Sequence, residues 1–187
     1  MLPAAIVNVF VEGTLAKECW GDGFYLDSLA KNVNFYSVTA SDNRRQGMSI
    51  VYADGVVVKD SVFRDTAGTN PQHGIDIEPD PPTNYYVSNV QILNSQFINN
   101  HSRGIETFDY NKKVSRVTIS GNTFTGNMAG VAVVGSNPHV ITNNSVTGNY
   151  GMWIPATPLH TVTGNNIHYN TSCLDLTTYP NNTCTHL

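Results

Sequence analysis

The 187-residue chain is short of charge: 13% of its residues are Asp, Glu, Lys or Arg, the net charge is -4 and the pI is about 5.8. With no basic run, nucleic acid and anionic membrane surfaces are not expected partners. No stretch is long and apolar enough to span a bilayer, so no membrane segment is expected. Three cysteines are too few for a disulfide scaffold. Either Cys173 and Cys184 close a short C-terminal loop and leave Cys19 odd, or all three are reduced thiols. Sustained helical periods with caps are also missing, so helix should be nearly absent. Met1 to Ala16 lacks a basic start and Glu12 interrupts its apolar run, so it does not read as a signal peptide. Residues 5–11 read instead as a strand entering the fold, as expected of a piece cut from a longer protein. The length fits one domain over residues 1–187, with 171–187 as an irregular tail.

What is present is a repeated apolar frame with one acidic exception. In His73-Gly74-Ile75-Asp76-Ile77-Glu78-Pro79-Asp80, read at the strand period of two, Ile75 and Ile77 point one way and Asp76 and Glu78 the other. Pro79 removes a ladder donor and ends the strand. Related strands follow Gly23, Gly47, Gly104, Gly130 and Gly151, and the six marker glycines are 24, 27, 30, 26 and 21 residues apart. A second strand family follows each of these. In it an apolar residue is followed three positions later by Ser or Asn and five later by another apolar residue. That aligns Ser61, Ser95, Asn122, Asn144 and Asn165 in one column able to satisfy turn backbone and to bond from one repeat to the next.

Short strands at this repeat, with Gly and Asn at corners, describe a solenoid: an all-β, right-handed parallel β-helix of about six or seven rungs. A propeller would need four strands in roughly 40–50 residues, which the repeat does not supply. The glycine-led strands, the Asn/Ser column and Gly21-Asp22-Gly23 resemble the pectate-lyase-like superfamily over roughly residues 5–170. That resemblance implies a carbohydrate-active protein, since its members include polysaccharide lyases, polygalacturonase-type hydrolases, alginate epimerases and phage tailspike depolymerases. It also implies a secreted or extracellular setting, phage and cell surfaces included, and leaves monomer and spike-like homotrimer both open. No activity family is matched. The Asp-Pro-His of alginate epimerases is absent, and Gln72 stands where the polygalacturonase Gly-His-Gly has its first glycine.

Stacking the rungs turns the sequence into a surface. One outward column holds Tyr25, Ser49, Asp76, Glu106, Ala132 and Trp153; the next holds Asp27, Val51, Glu78, Phe108 and Val134. Rungs are roughly 4.8 Å apart, so Asp76 and Glu106 are direct neighbours and Glu78 a diagonal one. Like charges that close raise the proton affinity of at least one acid, which supplies the acid and base that glycosidic chemistry needs. Gln46, His73 and Arg103, each just before a marker glycine, occupy equivalent corners beside the acids. Arg44 and Arg45 close the preceding loop and suit a uronate or sulfate. Tyr85, Tyr86 and Tyr110 are candidate sugar-stacking faces, and residues 65–72 a candidate second wall.

Three functions stay open on these residues. The preferred one is a polysaccharide-cleaving hydrolase without cofactor, in which Asp76, Glu78 and Glu106 share the acid and base or nucleophile roles and His73 and Arg103 assist. In the second, the same three acids hold Ca2+ in a lyase or uronate epimerase, and Arg103 or His73 takes the proton. No lysine sits in the candidate cleft, which disfavours a lysine-base lyase. The third is a non-catalytic, glycan-binding or structural β-helix segment.

Overall fold

The computed structural model describes residues 6–80, 84–109, 113–157 and 159–187. Among them every regular element is a strand, none is a helix, and every strand pairing is parallel. One sheet of seven strands contains Val7–Glu12, Ala30–Tyr36, Ala53–Lys59, Val87–Leu93, Val114–Ser120, Val140–Thr142 and Thr161–Thr163. A second sheet, of thirteen strands, wraps the other two faces. Leu15–Lys17, Thr39–Ser41, Val62–Arg64, Gln96–Ile98 and Thr123–Thr125 form one of those faces. Phe24–Leu26, Met48–Ile50, Ile75–Ile77, Arg103–Phe108 and Ala129–Val134 form the other. The strand Ser145–Trp153 runs round the corner and joins the two. The chain is therefore a parallel β-helix of about seven turns, with three strands to most turns.

The third face corrects the sequence reading, which saw two strand families per repeat. Each segment assigned to the second family bends between its two apolar residues. The bend falls at Ser37, Asp60, Asn94, Gly121, Asn143 and Gly164, all at φ between 49° and 70°. Gly, Asn and Asp tolerate that left-handed conformation best, so the corner residue is chosen by backbone sterics. An apolar spacing of five spans the bend unbroken and hides it from a periodicity argument.

Inside, the rungs stack like on like. Val9, Val33, Val56, Val90 and Val117 share a column, as do Phe63, Phe97 and Phe124. The phenyl rings stack with centroids 5.4 and 4.8 Å apart. Ile75, Ile105 and Val131 share one core column, while Ile77 and Val133 lie in a second with the buried Thr107 between them. Residues 171–187, expected to be irregular, add the strand Thr183–His186 beside Asn166–Ser172, and Cys173 is bonded to Cys184. Cys19 is the free thiol.

The polar column lies where it was read and runs further. Each member accepts the backbone N–H of the member one rung before: Ser95 from Ser61, Asn122 from Ser95, Asn144 from Asn122 and Asn165 from Asn144, at 2.9–3.1 Å. Asn182 continues the ladder by accepting from Asn165. A second ladder through Asn43, Asn100 and Asn127 serves the next corner. It escaped the sequence reading because rungs of unequal length shift its spacing and Thr66 interrupts it. Asn144→Leu would orphan the Asn122 N–H and the Ile119 carbonyl in the interior. Its expected cost is about 1–3 kcal/mol, read from the denaturant midpoint at unchanged slope.

Two histidines end the valine column, His139 after Val117 and His160 after His139, both buried with rings 5.4 Å apart. Burial, with help from His160, pushes the His139 imidazole down to about 4, and burial lowers His160 as well. The unfolded chain binds these protons below the ordinary histidine value of about 6.5 while the fold refuses them. Stability from this pair is thus present above pH 6.5 and is lost as pH falls toward 4. Replacing both with valine should flatten the fall in Tm across that window; an unchanged Tm–pH profile would contradict it.

Candidate functional site

The site is built by the corner residues that precede the marker glycines. Asp22, Gln46, His73 and Arg103 stack there, held by the N–H of Gly23, Gly47 and Gly74, each donating at 3.0 Å to the carbonyl of the corner residue one rung on. The glycines are needed for space: a Cβ on Gly74 would lie 2.6 Å from the Gly104 carbonyl oxygen and 2.8 Å from the Phe97 ring. The strands after them put Tyr25, Ser49, Asp76, Glu106, Ala132 and Trp153 in one register, as the sequence implied. Glu78 lies just past the end of Ile75–Ile77, beside them.

The acids point away from the core, yet they are not an open wall. Asp76 is 3% and Glu106 8% exposed, while Glu78 is half-buried. Gln46, also buried, donates from Nε2 to Asp76 Oδ2 at 2.6 Å and accepts the His73 N–H on Oε1 at 2.8 Å. His73 Nδ1 accepts the Arg103 N–H at 3.2 Å. That leaves the neutral ring's proton on Nε2, which lies 2.7 Å from Glu106 Oε2 in a short contact off the ideal hydrogen-bond line. Arg103 Nε stands 3.7 Å from Glu106 Oε1, and its guanidinium lies over Trp153, 4.8 Å from the ring centre. Donor atoms of His73, Asp76 and Glu106 all fall within 4.8 Å of one another.

This arrangement splits the two carboxylates. Burial, then the charges of Glu78 and Glu106, push Asp76 up to about 8, against a weaker pull from Arg45. Burial also drives Glu106 upward, but the His73 contact and Arg103 outweigh it and hold Glu106 below the usual range. Glu78 is raised by burial and by Glu106 and Asp80.

The other sequence candidates divide. Arg45 joins the site by pairing with Asp22 at 2.8 Å, and Ser49 Oγ donates to the same Asp22 oxygen. Arg44 is engaged elsewhere, over Trp20 and bonded to Thr69. Tyr85 and Tyr86 pack on Tyr52, with ring centroids 4.5 and 5.4 Å away, and both stay partly exposed. Tyr110 lies outside the described residues. A cavity of about 30 Å³ opens between Tyr25, Arg45, Ser49, Asp76, Glu78 and Asp80. Asp22, Tyr25, Ser49 and Asp80 were not named as site residues from sequence. Asp22 could have been, since it precedes Gly23 as His73 precedes Gly74.

Fold and site define a parallel β-helix protein with a buried acid cluster on one face. The chain belongs to the NosD family, whose model, described as "Periplasmic copper-binding protein (NosD)", matches residues 7–185. Among solved structures it is similar to the mannuronan C-5 epimerase AlgE6 A-module of Azotobacter vinelandii, with TM-score 0.69 and 19% identity over 96% of this chain and 57% of that one. It is also similar to the Streptococcus pneumoniae surface protein and adhesin PfbA, with TM-score 0.58 and 16% identity over 90% of this chain and 52% of that one. The tailspike protein gp49 of Acinetobacter baumannii bacteriophage Fri1, a capsular polysaccharide depolymerase, has TM-score 0.51 and 16% identity over 89% of this chain and 36% of that one. These are right-handed parallel β-helix proteins, and the likeness shows the fold. The chain spans less than two thirds of each. No curated protein matches it by sequence.

The family description raises copper, and the buried histidines among the described residues do not fit it. A ligating imidazole donates its other ring N–H to an acceptor. His73 Nδ1 instead receives an N–H, so Nε2 carries the proton and has no lone pair for a metal. Removing His73 leaves two carboxylates, donors that suit hard cations better than copper. The His139 and His160 rings are within 19° of parallel, so their in-plane lone pairs do not converge on one point.

The Asp76 environment has a measurable consequence. Between the ordinary carboxylate value of about 3.9 and about 8, the unfolded chain ionises this acid while the fold keeps it protonated. Stability from this group is fully present below that ordinary value and falls as pH rises to about 8. The Tm of Asp76→Asn minus that of wild type should therefore grow from pH 4 to pH 8. A constant difference would show that Asp76 titrates normally.

Proposed function

We propose that this β-helix cleaves a polysaccharide, with Asp76 as general acid and Glu106 as nucleophile. The observation that carries the reading is a pair of carboxylates one rung apart whose surroundings drive their protonation in opposite directions. Pairs tuned apart in this way are how one site runs acid and base chemistry at neutral pH. Asp76 Oδ2 is taken by Gln46, so its proton belongs on Oδ1, which has no hydrogen-bond partner among the described residues. From there it passes to the glycosidic oxygen as the C–O bond breaks. Glu106, with 11% of its side chain exposed, attacks the anomeric carbon, and water then releases the sugar with Asp76 as base. An oxygen of each acid lies within 4.8 Å of the other, nearer the roughly 5–5.5 Å of retaining enzymes than the 6.5–9.5 Å of inverting ones. Arg103 charge-balances Glu106, His73 positions it, and Gln46 orients Asp76.

Two of the similar structures carry polysaccharide-acting names, the mannuronan epimerase and the capsular polysaccharide depolymerase, and they support the substrate class. The family's periplasmic description and the Cys173–Cys184 bond support an oxidising compartment, periplasmic or extracellular. A Ca2+-assisted lyase or epimerase has less support. Ca2+ asks for carboxylate oxygens turned to one point, whereas Asp76 Oδ2 is taken by Gln46 and Glu106 is engaged by His73 and Arg103.

The test is turnover on a panel of neutral and acidic polysaccharides, with and without chelator. Asp76→Asn and Glu106→Gln should each lower turnover at least about a hundredfold with an unchanged circular dichroism spectrum and no chelator effect. Full activity in both variants would remove these residues from the chemistry. Binding without turnover by the wild type would make the chain a glycan-binding segment.

A further inference from the structure

Resting on the polysaccharide reading, we infer that the glycan is gripped two rungs from the acids, with one sugar ring seated on Trp153 in a cavity closed by the Cys173 turn. The cavity beside Asp76 measures about 30 Å³, room for a water-sized group or two and not for a sugar ring. A linkage can be presented there, but the contacts that hold a chain must come from elsewhere. A second cavity, of about 300 Å³, opens at the far end of the same face. That volume is in the range of small-molecule sites. Met152, Ile154 and Leu174 give it apolar walls, Trp153 an aromatic one, and Ser172 and Asp175 a hydroxyl and a carboxylate. The mixture suits a pyranose, whose C–H faces are apolar and whose edges carry hydroxyl donors. A wholly apolar ligand would strip water from the carboxylate and replace it with nothing.

Register ties this cavity to the acids. Glu106, Ala132 and Trp153 stand on successive rungs of one outward column, so Trp153 lies roughly 10 Å along it from Glu106. That is about the length of a disaccharide. Arg103 spans the small Ala132 between them: its Nε stands 3.7 Å from Glu106 Oε1, and its guanidinium lies over the Trp153 ring. A chain with one ring at Trp153 therefore runs over Arg103 and brings a linkage to Glu106 and Asp76. The cavity is also held in shape. The Met152 N–H donates to the Cys173 carbonyl at 3.1 Å, and the Cys173–Cys184 bond ties that turn to the strand Thr183–His186. Asp175 is fixed by the Thr177 N–H at 2.9 Å and the Thr178 hydroxyl at 2.7 Å. A site fixed in advance loses less freedom on binding.

The chain has two tryptophans, so Trp20→Phe leaves Trp153 as the sole indole emitter. Asp76→Asn is added to block cleavage. The probes are hexamer fractions from partial acid hydrolysis of cellulose, chitin, pectate and alginate, and of the polysaccharide turned over fastest in the wider panel. At least one hexamer should bind by isothermal titration calorimetry and change Trp153 emission over the same concentration range. Trp153→Ala, with an unchanged circular dichroism spectrum, should weaken that binding at least about tenfold. If Trp153→Ala does not fold, the emission of Trp153 decides alone. The inference is overturned, and the polysaccharide reading left standing, by a hexamer that binds without changing Trp153 emission or binds a folded Trp153→Ala protein equally well. Turnover of a polysaccharide whose hexamer does not bind has the same consequence. An emission change with decanoate and with no hexamer would also overturn it, making the cavity an apolar-ligand pocket. If no hexamer binds and no polysaccharide is turned over, the polysaccharide reading itself falls, and this inference falls with it.

Discussion

Everything in this molecule depends on the parallel hydrogen-bond register between successive turns. Rungs spaced about 4.8 Å apart place each side chain over its equivalent in the turn before, so the protein is organised in columns. A column of like residues is favourable where neighbours share a chemistry, as with the phenyl stack of Phe63, Phe97 and Phe124. It is favourable again where donor meets acceptor, as in the asparagine ladder from Asn122 through Asn165. It is unfavourable where like charges meet. Asp76 over Glu106 is such a place, and there burial, then the charges of Glu78 and Glu106, raise the proton affinity of Asp76.

The surroundings of the two acids are made from the same repeat. Gln46, His73 and Arg103 occupy one corner position on consecutive turns, and each is linked to the next. Gln46 receives the His73 N–H, and His73 receives the Arg103 N–H. The chain of contacts ends differently on the two acids, with an amide N–H on Asp76 and an imidazole and guanidinium near Glu106. A repeat that differs by one residue type per turn thus gives two carboxylates with different protonation. The same link from Arg103 fixes the His73 tautomer and sets this member of the NosD family apart from its copper-binding description at this site. The His139–His160 pair shows the other result of a column, two imidazoles forced into a core position occupied by valine on earlier turns.

Much of this was legible in the residues alone. The marker glycines aligned the strands, so the neighbours Ser49, Asp76, Glu106 and Ala132 followed from spacing, and Ser61 through Asn165 did too. Spacing suffices because backbone hydrogen bonds between turns allow one register once the inward residues are known. The corners were less legible. A left-handed residue at Asp60 or Asn94 leaves no mark on hydrophobic periodicity, so one face of three was missed, and with it the ladder through Asn43, Asn100 and Asn127.

What only the tertiary structure decided is burial, partnership and charge. An outward position in a strand does not say whether solvent reaches it. Asp76 turned out buried beneath its rim, while Tyr25, in the same column, is exposed. Nor does spacing say which arginine is engaged: Arg45 pairs with Asp22 while its neighbour Arg44 stacks on Trp20. Tyr85 and Tyr86 carry aromatic faces in the sequence, and only the structure packs both against Tyr52. The sequence determines the columns because register is a local, backbone property. The chemistry of the columns depends on loops and side-chain rotamers, whose positions are set by contacts distant in sequence.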